Sequence, residues 1–208
     1  MEVVSKPLMK EGGNQIYVKP EITVELTPKA IELTKGHSPS VSINENNICA
    51  CFYSAPGGSQ VYYKVGRFVD RGNVVWGTQF LFYVGASSFS VALSHDNKVL
   101  VLYETNSVLN YRCGDVNVET LEVSWGSFNY LNVGRKPSVS INSQDIICAA
   151  FEDGEELKYV VGKLQSKGKP IWWGGFEKFS AGKNPSISVN IFGHVLVSHS
   201  FLKGDNFW

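Results

Sequence analysis

The sequence has no excess charge of either sign and no long hydrophobic run. Nineteen basic residues balance nineteen acidic ones among 208, so no long-range field attracts nucleic acid or an anionic membrane. No stretch approaches the ~20 apolar residues of a membrane span, and the N-terminus lacks the basic start and apolar run of a secretory signal. We therefore expect a protein without a transmembrane segment or a nucleic-acid partner, either cytoplasmic or released without a signal peptide.

No catalytic or metal-binding motif is recognisable. There is no Gly-rich phosphate loop and no Gly-x-Ser-x-Gly element. A glycosidase needs two inward carboxylates at a defined separation, whereas Glu45, Asp96 and Asp145 fall in predicted hairpin turns. The histidines show no metal-ligand spacing: His37, His95, His194 and His199. The sequence therefore predicts a protein with no catalysis, no metal site and no cofactor.

Cysteine is scarce, and its spacing matches no zinc signature. The four cysteines are Cys49, Cys51, Cys113 and Cys148. In the repeat alignment that follows, Leu100 and Leu196 stand where Cys49 and Cys148 stand in other units. Exchange of cysteine with leucine indicates a buried apolar position, and disulfide or redox use is the alternative.

What the sequence does contain is an internal repeat of about 49 residues. Four segments align, at residues 39–44, 89–94, 137–142 and 185–190. A glycine precedes each of them, and a Trp-Gly pair lies nine residues before the last three of these glycines: Gly36, Gly85, Gly134 and Gly182. Because these residues recur at constant offsets, the sequence divides into four units, at residues 36–84, 85–133, 134–181 and 182–208.

Each unit contains up to four strand candidates. The first alternates small polar with branched apolar residues, which is a period of two. The second is nearly continuously apolar, as expected for a strand covered on both faces. The turn between them ends in a residue that tolerates a left-handed backbone, which suits a short hairpin: Asn47, Asn97, Asp145 and Gly193. The third candidate ends in a glycine, as at Gly66, and the fourth ends at the Trp-Gly pair.

Four strands in each repeat unit are typical of a β-propeller blade. We predict an all-β fold with a single domain over residues 1–208, in which four blades of four antiparallel strands form a small β-propeller. The last unit stops after its second strand, whereas residues 15–19 and 22–26 of the N-terminal segment are strand-like. We therefore predict that residues 1–35 close the last blade and cover its exposed edge.

Three elements resemble a family of bacterial and fungal propeller repeats. They are Pro-Ser-Val-Ser-Ile-Asn at 39–44, Tyr-Tyr-Lys-Val-Gly at 62–66 and Val-Val-Trp-Gly at 74–77. The resemblance covers residues 36–208 and implies a propeller that serves as a carbohydrate-binding or targeting module. This chain departs from the family where those repeats carry a glutamate, since it has Ala50, Val101, Ala149 and Val197 there.

Repeat symmetry and aromatic content favour binding over catalysis. Tryptophan and tyrosine are large and amphipathic, so they suit the apolar face of a sugar, and repeated asparagines could bond its hydroxyls. The candidate ligand-binding residues are Trp76, Trp125, Trp173, Tyr83, Tyr130, Asn44, Asn142 and Asn190. The alternatives are that the tryptophans are packing anchors between blades and that the asparagines bond their own hairpins.

We therefore predict a lectin-like propeller with several repeat-related sites for glycans or glycoproteins. A protein-interaction scaffold or targeting module that uses the propeller face is the alternative function. Homo-oligomerisation stays open, because an open arc of units could pair with another chain.

Overall fold

A computed structural model describes residues 35–69, 73–165 and 171–200, together with two backbone pairs at 3–4 and 21–22. All helical or extended structure in these residues is β-strand, so the predicted all-β fold is confirmed. The described residues also contain no helix that could span a membrane. In the N-terminal segment, β1 (Val3–Val4) pairs antiparallel with β2 (Glu21–Ile22).

Units 1 to 3 each form one antiparallel sheet of five strand segments. Unit 1 contains β3 (His37–Ile43), β4 (Ile48–Ser54), β5 (Gln60–Phe68), β6 (Val74–Trp76) and β7 (Phe80–Val84). Unit 2 contains β8 (Ser88–Leu93), β9 (Lys98–Thr105), β10 (Val108–Val116), β11 (Val123–Trp125) and β12 (Asn129–Val133). Unit 3 contains β13 (Arg135–Ile141), β14 (Ile146–Asp153), β15 (Glu156–Lys163), β16 (Trp172–Trp173) and β17 (Glu177–Ala181).

The outermost strand of each complete unit is interrupted, which the sequence did not indicate. In unit 1, β6 and β7 both pair with β5, since Gly66 lies opposite Trp76 and Tyr63 lies opposite Phe80. The break follows the Trp-Gly pair, where the Gly77 N–H donates to the Val65 carbonyl at 2.8 Å. An outer strand has one neighbour in its sheet, so the interruption disturbs a single ladder of hydrogen bonds.

The hairpin between the first two strands has the predicted geometry. The residues that end its turn all have positive φ: Asn47 at 61°, Asn97 at 62°, Asp145 at 64° and Gly193 at 80°. In unit 1 the Asn44 Oδ1 atom accepts hydrogen bonds from the N–H groups of Asn46 and Ile48. The side chain therefore closes the turn by replacing a backbone acceptor.

The first strands of the four units lie side by side and are joined by serine hydroxyls. Each bonded serine accepts the backbone N–H of a residue one repeat later, at 3.0 to 3.2 Å. The pairs are Ser40 with Val91, Ser42 with Leu93, Ser90 with Val139, Ser138 with Ile187, and Ser140 with Val189. The serines on this face therefore fix the register between neighbouring units.

The hydrophobic core lies between the sheets. One cluster joins units 1 and 2 around Phe52 and Tyr103, a second joins units 2 and 3 around Phe151, and a third joins units 3 and 4. The second strands β4, β9 and β14 supply its largest share and are buried almost throughout. Their continuous apolar sequence follows from burial on both faces.

Unit 4 comprises the pair β18 (Lys183–Val189) and β19 (Val195–Ser200). Within the described residues no further strand pairs with β19, and the inward residues of unit 1 are open, with Val41 69% and Ile43 57% exposed. The strands predicted at 15–19 and 22–26 lie outside the described residues, apart from Ile22, which pairs with Val3. The four-blade count and the closure of the last blade stay predictions.

The cysteines occupy the apolar positions that the repeat alignment indicates. Cys49, Cys51 and Cys148 are buried, Cys113 is half-buried, and all four thiols are free. Burial raises the pKa of Cys49 to about 11 and that of Cys113 to about 12. The thiolate is the reactive form of cysteine, so these side chains behave as small hydrophobes at neutral pH.

Removing one serine hydroxyl tests the bonds between units. Ser42→Ala should lower the free energy of unfolding by about 1 to 3 kcal/mol, because it leaves the buried N–H of Leu93 without an acceptor. Ser188→Ala is the matched control, since Ser188 has the same place in unit 4, is exposed and accepts no bond within the described residues. Urea denaturation measures both, and equal losses would contradict the role given to Ser42.

Candidate functional site

The repeated tryptophans sit on the repeated glycines of the third strand. A Cβ atom added to Gly66 would lie 2.8 Å from the Trp76 ring, and the same addition at Gly114 would lie 2.9 Å from Trp125. At Gly162 the distance to Trp173 would be 2.6 Å. Only glycine leaves room for the indole, which explains why a glycine near the end of the third strand accompanies each Trp-Gly pair. The strand itself does not end there, since it continues to Phe68, Val116 or Lys163.

Two of these tryptophans contact the preceding unit. Trp125 in unit 2 donates its Nε1–H to the Tyr63 hydroxyl of unit 1 at 3.0 Å, with ring centroids 5.5 Å apart. Trp173 in unit 3 makes the equivalent edge contact with Tyr111 of unit 2, at 5.6 Å between centroids. Trp76 belongs to unit 1, and no described unit precedes it. The geometry favours a packing role for Trp125 and Trp173, and a ligand role stays a prediction.

The two candidate tyrosines have different environments. Tyr83 is half-buried between units 1 and 2, with its ring centroid 4.8 Å from that of Tyr103 and 5.7 Å from that of Phe128. The Arg112 guanidinium lies 4.1 Å from the centroid of the same Phe128 ring, within cation–π range. Tyr130 lies on the outer strand β12 and is 61% exposed.

The asparagines join neighbouring hairpins as well as closing their own. The Asn44 amide donates to the Ser94 carbonyl of unit 2 at 2.9 Å, and the Asn142 amide donates to the Asn190 carbonyl of unit 4 at 3.0 Å. Their side-chain oxygens already accept backbone N–H groups of their own turns. This bonding favours the hairpin alternative, and direct contact of these amides with a sugar stays a prediction.

A cleft of about 410 Å³ opens between units 2 and 3, and we call it the unit 2–3 cleft. It brings together a candidate tryptophan, a tyrosine and several polar side chains from both units. Its lining includes Lys98, Tyr111, Asp115, Trp125, Asn129 and Gln165. Of the eight candidate binding residues, Trp125 is the one that lines this cleft.

The corresponding space between units 1 and 2 is filled by Leu121. A Cβ atom added to Gly77 would lie 2.8 Å from the Leu121 Cβ atom and 3.0 Å from its carbonyl oxygen. Gly126 has the same repeat position in unit 2, and among the described residues a Cβ atom there would have one close neighbour, the Cys113 carbonyl of its own unit at 3.3 Å. In unit 3 the repeat position of Leu121 falls within residues 166–170, outside the described residues, so this difference between the interfaces holds for their described parts.

A second cavity, of about 360 Å³, lies where the hairpins of all four units meet, and we call it the axial pocket. One aliphatic residue from each unit lines it: Ile43, Leu93, Ile141 and Val189. The three candidate asparagines line it as well: Asn44, Asn142 and Asn190. The structure therefore separates the candidates, with the asparagines in the pocket where the four hairpins meet and Trp125 in the unit 2–3 cleft.

The structure also brings together three side chains that the sequence did not associate. His95 and Asp96 of the unit 2 hairpin lie beside Asp145 of the unit 3 hairpin, with potential ligand atoms within 4.8 Å of one another. Sequence separation concealed this cluster, because Asp145 follows one repeat later. Aligning the hairpin turns of successive units in the sequence could have revealed the cluster.

No known family model matches the chain, and no curated protein has a significantly similar sequence. The resemblance to bacterial and fungal propeller repeats therefore rests on the quoted motifs and stays a prediction.

Two glycine substitutions at one repeat position distinguish the filled interface from the open cleft. Gly77→Ala should lower the free energy of unfolding by about 1 to 3 kcal/mol, because its methyl group meets Leu121 in a packed interface. Gly126→Ala should lower the free energy of unfolding by clearly less. Its methyl group also meets a carbonyl of the third strand in its own unit, but it otherwise faces the unit 2–3 cleft. Chemical denaturation of both variants provides the comparison, and a larger loss for Gly126→Ala would show that the cleft is closed in solution.

Proposed function

We propose that the chain is a non-catalytic, carbohydrate-binding module whose principal saccharide site is the unit 2–3 cleft. The observation that carries this proposal is the convergence of Trp125 and several polar side chains in one open cleft. Its volume of about 410 Å³ falls in the range of small-molecule sites.

The chemistry of the cleft suits a neutral, hydroxyl-rich ligand. Aromatic side chains present apolar carbon surface, which matches the C–H face of a pyranose ring. The Asp115 carboxylate can accept hydrogen bonds from sugar hydroxyls, whereas the amides of Asn129 and Gln165 can both donate and accept. Charge-assisted bonds to Asp115 and Lys98 would be the stronger ones.

The difference between the interfaces changes the expected number of sites. Leu121 occupies the space between units 1 and 2, whereas no residue in the described part of unit 3 fills the equivalent space between units 2 and 3. We therefore narrow the expectation of several equivalent sites to one principal site. Multivalent binding would then require several copies of the chain.

We further propose that the four sheets are blades of one propeller and that N-terminal strands complete unit 4. Within the described residues no third strand joins β18 and β19, and Val41 and Ile43 are exposed. Both observations support this, since sheet edges and apolar surface are normally covered.

Deleting residues 1–30 tests this completion. The truncated chain should melt at a lower temperature and associate more readily, because β19 and the open face of unit 1 lose their cover. Calorimetry and sedimentation measure the two effects. An unchanged, cooperatively melting monomer would contradict the completion of unit 4.

A glycan array followed by calorimetric titration of the best glycan tests the saccharide site. Asp115→Ala should weaken binding at least tenfold, because it removes a carboxylate from the lining of the cleft. Glu119→Ala is the matched control, since Glu119 is an exposed acid of the same unit in the turn before Leu121 and lies outside the lining residues.

The two variants also define the result that would count against this site. Equal affinities in Asp115→Ala and Glu119→Ala would place sugar binding elsewhere on the chain. A broad array on which the native protein binds no glycan would remove the carbohydrate proposal altogether.

A protein-interaction scaffold is the second candidate, and a separate surface favours it. The outer strands β7 and β12 expose apolar side chains by half or more, with Leu81 at 50%, Val84 at 56%, Tyr130 at 61% and Val133 at 51%. Exposed apolar side chains mark an interaction site where they form one contiguous patch. Capture of one stoichiometric partner that free sugars do not release, and that Tyr130→Ser abolishes, would favour this function.

A further inference from the structure

The hairpin contacts between successive units change character from one interface to the next. Between units 1 and 2, the amides of Asn44 and Asn46 donate to the Asn97 Oδ1 atom at 2.8 and 3.2 Å. At the next interface Asp145 takes the place of Asn97. The two donors are replaced as well, by Ser94 and Asp96. The preceding hairpin therefore offers Asp145 no side-chain amide at either donor position.

The His95 ring lies between the two carboxylates at this interface. Its Nε2 atom is 2.8 Å from the Asp96 Oδ1 atom, and its Nδ1 atom is 3.7 Å from the Asp145 Oδ1 atom. The second distance is too long for a hydrogen bond. Both the Nδ1 atom and the facing Oδ1 atom are buried and have no hydrogen-bond partner among the described residues.

We propose that a divalent transition-metal ion binds between His95 Nδ1 and Asp145 Oδ1 and joins unit 2 to unit 3. Zinc binds histidine nitrogen and carboxylate oxygen at about 2.0 to 2.2 Å, which places two tetrahedral ligand atoms about 3.4 Å apart. The observed 3.7 Å approaches this spacing. An ion there would satisfy both orphaned atoms at once.

Asp96 has the place of a supporting carboxylate. Metal-binding histidines commonly donate their second ring N–H to a carboxylate, which fixes the tautomer and aims the free lone pair at the metal. Asp96 lies at hydrogen-bond distance from Nε2, and the Lys98 ammonium holds its other oxygen at 3.1 Å. The contact of Asp96 with Nε2 therefore holds the His95 ring so that Nδ1 faces Asp145.

The ligand atoms indicate the class of ion and where its other ligands come from. An imidazole nitrogen suits zinc, nickel, copper or iron, whereas calcium and magnesium take oxygen ligands. His95 also lines the axial pocket, so water or a bound anion can complete the coordination from that side. This site does not depend on the proposed saccharide site, which lies in the unit 2–3 cleft.

Titration of the full-length, chelator-treated protein with zinc chloride tests the proposal. One zinc ion should bind per chain and raise the melting temperature by several degrees, because an ion that binds only the folded state stabilises it. Magnesium chloride at the same concentration should have no such effect. His95→Ala and Asp145→Asn should each weaken zinc binding at least tenfold, and Asp96→Asn should weaken it by a smaller factor.

His194→Ala is the matched control, because His194 is an exposed imidazole in the corresponding hairpin of unit 4. It should leave the zinc affinity unchanged. Circular dichroism shows that each variant is folded, and the visible spectrum of the cobalt-loaded native protein reports nitrogen and oxygen ligation without any substitution. The proposal is overturned if zinc affinity is the same in His95→Ala and Asp145→Asn as in the native chain. It is also overturned if the native chain binds no zinc.

Discussion

The arrangement of the units depends on one set of hydrogen bonds. In each of them, a backbone N–H group in the first strand of one unit donates to a serine hydroxyl in the first strand of the preceding unit. Five such bonds, each between residues one repeat apart, set how far each sheet is displaced from the next. A serine side chain is short enough to let the first strands of neighbouring units approach each other. Its hydroxyl oxygen then serves as the acceptor for a backbone N–H of the next unit. An alanine would fit the same space but would leave the neighbouring N–H unsatisfied.

Once the register is set, the remaining interfaces follow with little freedom. The second strands pack face to face, so their side chains are apolar except near the strand ends, and Trp125 and Trp173 contact the tyrosines of the preceding unit. The units then differ only locally, where single side chains at an interface are replaced. Leu121 fills the interface between units 1 and 2, whereas no described residue takes its place at the next interface, where His95 with Asp145 replaces an amide network. The two proposed sites are both of this kind.

Much of the fold was predictable because a repeat reports the same environment several times. Alternation in the first strands, apolar runs in the second and left-handed residues in the turns each recur, so the all-β character and the hairpins followed from the pattern. The split outer strand was not predictable, since an edge strand has weak sequence constraints. Of the candidate site residues, Trp125 lines the unit 2–3 cleft, whereas Tyr130 lies on the outer surface and the asparagines line the axial pocket.

The sequence by itself determined the repeat, the strand content and the positions of the turns, because these depend on residues that are near one another along the chain. The tertiary structure decided which interfaces are filled, which are open and which titratable groups meet. Those properties depend on side chains a full repeat apart, as with Leu121 beside Gly77 and His95 beside Asp145. A periodic pattern shows that such residues occupy equivalent places, but the distance between them exists only once the units are stacked.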